Sequence, residues 1–347
     1  MRAGITKLLV VVLAALSAAA VYRHVSRVSE KPSSGIPREV IALYSTWKNA
    51  HGKLYSTPAE NDHRLRVFYS QKQFVDKANV DYASAMLKRD GTVITENPFT
   101  LNGFADLAAD EFTAKYTGEA PETHENAELA PEVNYVESAD AGLAQAGFDV
   151  RVRNQGSCGS CWAFSAVATY EKFWFLKTGQ RLDLSQQQLV DCDTSDNGCN
   201  GGLSSNALGW INGKGLALAS AYPYTATKGA CRSVASASKL SFSVNRPLFS
   251  YNYAADRIAA GQLISVSVYA SGKFRYLDAG STPFVAAATG ECSQTKNHAI
   301  NAVAASGGAL NLLNSWGGSW GNKGLRWVTP CSASSLWADL SYVTIPQ

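Results

Sequence analysis

The placement of cysteine constrains this chain more than any other feature of its sequence. All seven cysteines lie after residue 157 of a 347-residue chain. Cysteines that cluster in one part of an exported chain usually form disulfide bonds. Because seven is an odd number, at most six can pair, and at least one thiol is left over.

The N-terminal residues predict export. Arg2 and Lys7 precede an apolar run from Leu8 to Val21 that ends in small residues. This pattern is typical of a secretory signal, and the run is shorter than the ~20 residues of a membrane-spanning helix. We therefore expect residues 1–22 to be a signal peptide, with a signal anchor as the alternative. The chain is then expected in a lysosome-like compartment or outside the cell.

Three kinds of segment precede the cysteine-bearing part. Residues 23–37 are polar and contain proline and serine, which predicts a linker. Apolar positions recur at helical spacing over residues 38–88, which predicts helices. Residues 114–129 form an acidic stretch without apolar periodicity. Such a stretch predicts an exposed linker, and we expect proteolysis to cut it between residues 120 and 131.

The cysteine-bearing part starts with helical patterns and continues with strand-like ones. The run that starts at Cys161 is apolar nearly all round, which predicts a buried helix capped by Ser160 and ended by Gly179. Ser185 and Gln188 predict a capping box for a second helix. The strand-like runs that follow are LISVSVYA, HAINAVAAS, LNLLNSW and GLRWVTP. Helices before strands indicate an α+β fold with a helical half and a sheet half.

The motif NQGSCGSCWAFS places Cys158 and Cys161 in a C-x-x-C pair. Such a pair is a redox dithiol, half of a zinc site, or two cysteines with separate fates. A structural zinc site needs four Cys or His ligands. The cysteine-bearing part has no second C-x-x-C and only one histidine, His298, so we expect no metal.

Cys161 is the stronger candidate for a reactive thiol. It would begin the buried helix, and the partial positive charge of a helix N-terminus favours a thiolate. His298 is the one imidazole in the same part of the chain that could take its proton. Asn314 has a side-chain carbonyl that could hold the imidazole in one tautomer, and Trp316 could shield that bond from water.

Six motifs occur in the order and spacing of the papain family of cysteine proteases, namely NQGSCGSCWAFS, LSQQQLVDC, GCNGG, YPY, NHAINAVA and NSWGGSWG. The chain resembles the cathepsin L-like, secretory or lysosomal members of that family. The resemblance covers residues 130–347. It implies an α+β, papain-like two-domain fold, with the active-site cleft between a helical half and a β-barrel-like half.

Residues 38–113 resemble the helical inhibitor prodomain of the same family. The positions that fit its long-helix pattern are Glu60, Arg64, Phe68, Val75 and Asn79. The positions that fit its N-x-F-x-D element are Asn102, Phe104 and Asp106. The resemblance therefore implies that the chain is made with its own inhibitor.

The resemblance also implies catalytic roles. Cys161 would be the nucleophile, and His298 would be the general base and acid. Asn314 would orient His298, and Gln155 would donate to the oxyanion hole beside the backbone N–H of Cys161. The implied disulfide bonds, which leave Cys161 as the odd thiol, are Cys158–Cys199, Cys192–Cys231 and Cys292–Cys331.

Substrate binding is implied for a further set of residues. They are Gly201, Gly202, Leu203, Ser204, Ser267, Ala299, Trp316 and Leu336. Leu336 would form an apolar floor under the substrate side chain two residues before the cut, and Lys296 would repel a cation at the rim. We therefore expect Leu, Val or Phe to be preferred over Arg at that substrate position.

Together these inferences predict a cysteine endopeptidase that is made as an inactive zymogen. Its expected partners are protein and peptide substrates, its own prosegment as inhibitor, and cystatin-like inhibitors; we expect a monomer without metal or cofactor. The formal net charge is only +3, so nucleic acid is not an expected partner. Two other functions stay open. They are a non-catalytic binding protein on the same fold and a thiol-disulfide oxidoreductase that uses Cys158 and Cys161.

Overall fold

The computed structural model describes most of the chain. The described residues are 35–120, 148, 150–280 and 282–332. The expected signal peptide at residues 1–22, the expected cleavage region from residue 121 onward and Leu336 lie outside them.

The helices and strands follow the apolar patterns of the sequence. The helices are α1 (Arg38–Ala50), α2 (Pro58–Asp90), α3 (Ala109–Tyr116), α4 (Cys161–Thr178), α5 (Gln186–Cys192), α6 (Ser204–Ile211) and α7 (Tyr251–Ala259). The strands are β1 (Ile264–Val268), β2 (Phe284–Val285), β3 (His298–Ser306), β4 (Ala309–Leu313) and β5 (Leu325–Thr329). Helices precede strands in the chain, as the sequence predicts.

The chain forms two compact units, one up to Lys72 and one from Gln73 onward. The first unit contains α1 and the first part of α2. Its core is aromatic: the ring of Phe68 lies 5.3 Å from that of Tyr44 and 5.1 Å from that of Trp47. Phe68 is fully buried. The apolar spacing of the long helix thus serves to fill this core.

In the second unit, the remainder of α2 packs beside the chain that follows it. Asn79 and Phe99 exchange two hydrogen bonds: the Asn79 amide donates to the Phe99 carbonyl at 3.0 Å and accepts the Phe99 N–H at 3.1 Å. Phe99 in turn bridges to Leu277. Tyr82 stacks on Phe284 with 5.0 Å between ring centroids. These contacts attach residues 79–99 to the part of the second unit that carries the sheet.

Helix α4 is the central helix of the second unit. Every residue from Cys161 to Phe173 is buried, as its all-round apolar sequence predicts. Gly179 ends it in the left-handed region, with φ of 70°. The predicted Ser160 cap is wrong, because its hydroxyl lies 2.7 Å from the Tyr224 hydroxyl and does not bond the helix.

The structure contains one of the two hydrogen bonds of the capping box that the sequence predicts at Ser185 and Gln188. The Ser185 hydroxyl accepts the N–H of Gln188 at 3.0 Å and caps α5. The Gln188 side chain does not return the bond of a capping box. It accepts the N–H of Ala217 at 2.7 Å instead and so joins α5 to a neighbouring loop.

The five strands form one sheet in the order β1-β3-β4-β5-β2. β1 and β3 are antiparallel, with Ser267 opposite Ala299 and Val268 opposite His298. β3 and β4 are also antiparallel, with Asn301 opposite Leu313. The beginning of β3 and the end of β4 therefore lie next to each other at the same end of the sheet.

Six of the seven cysteines are bridged. The pairs are Cys158–Cys199, Cys192–Cys231 and Cys292–Cys331, as the resemblance implies. Cys161 is free and buried. Because Cys158 is bonded to Cys199, the Cys158–Cys161 redox pair does not exist in this structure.

Within the described ranges, none of the helices combines the length and the apolar character that spanning a membrane requires.

Candidate active site

Cys161 is the first residue of α4, at the point where this helix meets the sheet. Its sulfur accepts the N–H of Ala299 at 3.4 Å. Ala299 follows His298 at the beginning of β3. The fold thus brings together the free thiol and the one histidine of the cysteine-bearing part, although they lie far apart in the sequence.

His298 is held by Asn314, which directly follows β4. The Nε2 atom of His298 lies 2.8 Å from the Oδ1 atom of Asn314. Because a carbonyl oxygen only accepts, Nε2 carries the proton, and Nδ1 of the neutral ring is free to accept one. Trp316 stacks on the imidazole with 4.4 Å between ring centroids. Asn314 and Trp316 therefore occupy the positions that the sequence predicts for an orienting residue and a shield.

Burial favours the neutral forms of both Cys161 and His298 in this form of the chain. Cys161 and His298 have no exposed surface. Burial, with a smaller contribution from the charge of Glu119, raises the pKa of Cys161 to about 12. Burial lowers the pKa of His298 to about 4, against the opposing effect of its bond to Asn314. In this form the loss of water outweighs the effect of the helix N-terminus, so the protonated thiol is favoured. The thiolate that we expect in the reaction stays a prediction.

Gln155 is the predicted oxyanion donor, and its side-chain amide already makes hydrogen bonds within the chain. The Oε1 atom accepts the Ser315 hydroxyl at 2.6 Å, which fixes the orientation of the amide. The Nε2 atom donates to the carbonyl oxygen of Cys158 at 2.9 Å and to that of Tyr116 at 3.2 Å. The indole N–H of Trp316 donates to the same Tyr116 oxygen at 3.0 Å. Gln155 and Trp316 thus together hold the main-chain carbonyl of Tyr116.

Tyr116 is the last residue of α3, and it begins the stretch of residues 116–120 that is here named the cleft segment. The N–H of Gly202 donates to the Gly118 carbonyl at 2.8 Å, and the N–H of Ala120 donates to the Gly202 carbonyl at 3.0 Å. The N–H groups of Gly118 and Glu119 both donate to the Asn297 carbonyl, at 2.9 and 3.0 Å. The cleft segment therefore lies between the Gly202 loop and the start of β3, and it covers the thiol.

The cleft segment approaches the protein closely at one glycine. A Cβ atom added to Gly118 would lie 2.1 Å from the carbonyl oxygen of Gly159, a distance that real side chains do not adopt. On the opposite side, a Cβ added to Gly159 would lie 2.6 Å from the Thr117 carbonyl. Both positions thus require glycine for this approach, and Gly159 lies two residues before Cys161.

The predicted substrate-binding residues lie on different elements around the thiol. Gly201 and Gly202 form the loop before α6, Leu203 precedes that helix, and Ser204 begins it. Ser267 and Ala299 are opposite each other on β1 and β3. Gly202, Ser267 and Ala299 converge on the region that the cleft segment occupies, whereas Leu336 lies outside the described residues.

Sequence reasoning missed the residues that close the site. They are Tyr116, Gly118, Glu119 and Asn297. One signal was present: a glycine followed by an acidic residue stands in the segment TGEA, at the start of the predicted acidic linker. Within the described ranges, no three His, Cys, Asp or Glu side chains gather as a metal site requires.

The state of the thiol can be measured directly. In the intact chain at pH 7, iodoacetamide should alkylate Cys161 at least ~100-fold more slowly than an ordinary exposed cysteine, because only the thiolate reacts and burial suppresses both ionisation and access. Labelling is followed by mass spectrometry without reduction, since the other six cysteines are bridged. An alkylation rate equal to that of an exposed cysteine would show that the cleft segment does not cover the thiol.

Comparison with known families yields two matches. Residues 137–334 match the model described as papain family cysteine protease. Residues 44–112 match the cathepsin propeptide inhibitor domain.

Individual proteins of known sequence or structure are also similar to this chain over most of its length. Papain of Carica papaya is 34% identical over 294 residues, which cover 82% of this chain and 80% of that protein. The solved structure of a recombinant stem bromelain precursor has a TM-score of 0.67 at 27% identity and covers 88% of this chain and 98% of the other. Digestive procathepsin L 3 of Tenebrio molitor larval midgut has a TM-score of 0.71 at 25% identity, with coverage of 89% and 99%.

Proposed function

Because the chain belongs to the papain family of cysteine proteases and carries the family's propeptide inhibitor domain, we propose that Cys161 and His298 are the reacting groups of an endopeptidase made as a zymogen. The observation that supports these roles is the hydrogen bond between His298 and Asn314, next to the Ala299 N–H that contacts the Cys161 sulfur. Cysteine-type endopeptidase activity is the activity of the family to which the chain belongs.

The proposed reaction begins when Cys161 transfers its proton to Nδ1 of His298. The thiolate then attacks the carbonyl carbon of a peptide bond. Gln155 Nε2 and the backbone N–H of Cys161 donate to the oxyanion that develops. His298 gives its proton to the leaving amine and later deprotonates the water that hydrolyses the thioester. Asn314 holds the imidazolium in the required orientation throughout.

The zymogen state has a physical basis in the same proposal. The cleft segment uses the Gly202 backbone and Gln155, which a substrate would need. It also removes water from Cys161 and His298, so the thiolate–imidazolium pair is disfavoured. Removal of the segment would expose both groups and allow the ion pair to form.

Finer features of the proposal rest on resemblance and composition. They are a peptidase domain at residues 130–347, a helical inhibitor prodomain at 38–113 and a cleaved acidic linker at 114–129. They also include a cathepsin L-like subtype, a monomeric state, inhibition by cystatin-like proteins, and a lysosome-like or extracellular location. The three disulfide bonds indicate folding in an oxidising compartment, which agrees with the proposed location.

The alternatives receive no support. A thiol-disulfide oxidoreductase would need Cys158 as the partner of Cys161, but Cys158 is bonded to Cys199. A non-catalytic binding protein would not need His298 and Asn314 beside the only free thiol.

The function is tested by processing the purified chain at acid pH and assaying blocked fluorogenic peptides. Hydrolysis should appear only after the chain is cut, and iodoacetamide treatment of the cut enzyme should abolish it. N-terminal sequencing should place the cut between residues 120 and 131. The absence of peptide hydrolysis after a complete cut would contradict the proposal.

A further inference from the structure

We infer that Asp196 is a positioning residue of the proposed peptidase, which holds the backbone at Gly202 in place for substrate while it shares a proton with Asp193. This inference rests on the proposed function and adds a pH-dependent step to substrate binding. The segment concerned comprises residues 196–203, here named the Gly202 loop, and α6 begins directly after it.

The carboxyl group of Asp196 supports the Gly202 loop from within. Its Oδ1 atom accepts the N–H of Leu203 at 3.0 Å and the side-chain N–H of Asn206 at 3.1 Å. A Cβ atom added to Gly202 would lie 2.6 Å from the carboxyl carbon of Asp196, so this group packs directly against the glycine. Loss of these contacts would free the backbone at Gly202.

That backbone is the part of the Gly202 loop that a substrate would use. In the intact chain, the N–H of Gly202 donates to the Gly118 carbonyl at 2.8 Å, and its carbonyl accepts the N–H of Ala120 at 3.0 Å. When the cleft segment leaves, these two backbone groups require new partners, which an extended peptide that reaches Cys161 can supply. The affinity for substrate therefore depends on how firmly Asp196 holds Gly202.

A second carboxyl group lies beside that of Asp196. Asp193 directly follows α5, is only 1% exposed, and lies within hydrogen-bonding reach of Asp196. Its Oδ1 atom accepts the N–H and the hydroxyl of Ser195. The Oδ2 atoms of both aspartates are shielded from solvent and have no hydrogen-bond partner among the described residues. Because buried polar atoms are normally paired, a single proton between the two carboxyl groups satisfies both oxygens.

The electrostatics of the pair favour that proton. Burial raises the pKa of Asp196 to about 6, against the bonds from Leu203 and Asn206. The charge of Asp193 and its hydrogen bond to Asp196 raise the pKa further. Two neighbouring carboxylates repel each other, so ionisation of both groups drives Asp196 away from its contacts in the Gly202 loop.

Two other charged side chains belong to the same region. Asp191, on α5, accepts the hydroxyl of Tyr222 at 2.9 Å and the N–H of Gly229 at 2.7 Å. Lys228 runs over the loop at Gly198, where an added Cβ would lie 2.5 Å from its Cδ atom. Asp191 thus has its own donors, and it offers a control for the removal of one carboxylate.

The direction of the pH effect follows from the raised pKa. Asp196 has a pKa of about 6 in the held loop and an ordinary value of 3.8. Protonation therefore favours the held loop, fully below roughly pH 4, and this advantage is lost as the pH rises to about 6. The two values correspond to a ~100-fold change in the preference for the held loop. We expect KM of the processed enzyme to rise about tenfold between pH 4.5 and 7.5 for this reason.

The test compares the processed enzyme with Asp196→Asn over this pH range. The amide keeps an acceptor for Leu203 and offers a donor to Asp193 at every pH, so it imitates the shared proton. The value of kcat/KM for Asp196→Asn, divided by that of the unmodified enzyme, should be near one at pH 4.5 and about ten at pH 7.5. This division cancels the titration of Cys161 and His298, and the difference should lie in KM.

Two further variants identify the partner of Asp196. Asp193→Asn removes the repelling charge and supplies a donor to Asp196, so its ratio to the unmodified enzyme should also rise with pH. Asp191→Asn is the matched control, because it removes one carboxylate from the same helix and leaves the contacts of Asp196 in place. Its ratio should be the same at every pH.

A second measurement uses the intact chain and needs no activity. The amide hydrogen of Leu203 exchanges with solvent when its bond to Asp196 opens. Its exchange rate in the unmodified chain, divided by the rate in Asp196→Asn at the same pH, should rise about tenfold from pH 4.5 to 7.5. The intrinsic pH dependence of exchange cancels in this comparison.

The outcomes separate the inference from the proposed function. A kinetic ratio for Asp196→Asn that does not change with pH overturns the inference and leaves the proposed function intact. Equal exchange of the Leu203 amide in both chains at every pH also overturns it, as does a pH-dependent ratio of the same size in Asp191→Asn. If the processed enzyme cleaves no peptide at any pH, the proposed function fails, and the role of Asp196 toward substrate fails with it.

Discussion

Replacement of Cys161 by alanine should lower kcat/KM for peptide hydrolysis on the order of 10⁵- to 10⁶-fold, to the background level of the assay. The sulfur is the only free thiol beside an imidazole, since the other six cysteines are bridged. Without it no acyl-enzyme can form. His298→Ala should lower kcat/KM to nearly the same background level. Cys161 and His298 are proposed to act in the same step, so removal of either one removes the contribution of both. The measurement is the initial rate at which the chain hydrolyses a blocked fluorogenic peptide, after an added protease has cut the chain.

The control for this result is a neighbouring change that leaves the reacting atoms in place. Ser160→Ala removes a hydroxyl that bonds to Tyr224 and does not cap the helix. It should retain activity within about tenfold of the unmodified enzyme. Non-reducing peptide mapping of Cys161→Ala should still give three disulfide bonds. Hydrolysis by Cys161→Ala at more than a trace of the normal rate would show that another group is the nucleophile.

Replacement of Gly118 by valine should open the site in the intact chain. The added Cβ would meet the Gly159 carbonyl, so the cleft segment must move away. It would then lose its bonds to Gly202 and Asn297. These are four hydrogen bonds, and at about 0.5–1.5 kcal/mol each their loss amounts to about 2 kcal/mol at the lower end of that range. Such a change corresponds to a ~30-fold increase in the open population. The rate of Cys161 alkylation in the uncut chain at pH 7 should rise by about that factor.

Gly209→Ala is the matched control for this prediction. A Cβ added to Gly209 meets no atom within 4 Å. This variant should therefore leave the alkylation rate unchanged. An unchanged rate in Gly118→Val, with the chain still folded by circular dichroism, would mean that the cleft segment is not held by its close approach to Gly159.

The proposed reacting residues could be singled out from the sequence because each is chemically distinctive there. Cys161 is the odd cysteine at the start of an apolar helix, and His298 is the only histidine after the linker. Their meeting with Asn314 could not be predicted from spacing alone. It depends on antiparallel pairing, which places the start of β3 beside the end of β4.

The features that sequence reasoning missed depend on competition between distant groups. Ser160 precedes a helix as a cap does, but Tyr224 takes its hydroxyl, and local pattern does not reveal a partner so far along the chain. The protonated state of Cys161 in this form also depends on distant groups. The helix N-terminus is visible in the sequence, whereas the cover provided by Glu119 and its neighbours appears only in the fold.

The cover over Cys161 has a consequence for folding in an oxidising environment. Three disulfide bonds must form there while a seventh cysteine stays unpaired. Thiol–disulfide exchange and oxidation by peroxide both start from an accessible thiolate. A buried, protonated thiol therefore reacts slowly with other disulfide bonds and is slowly oxidised to sulfenic acid. The same cleft segment that blocks the site thus acts as a redox protecting group until the chain is cut.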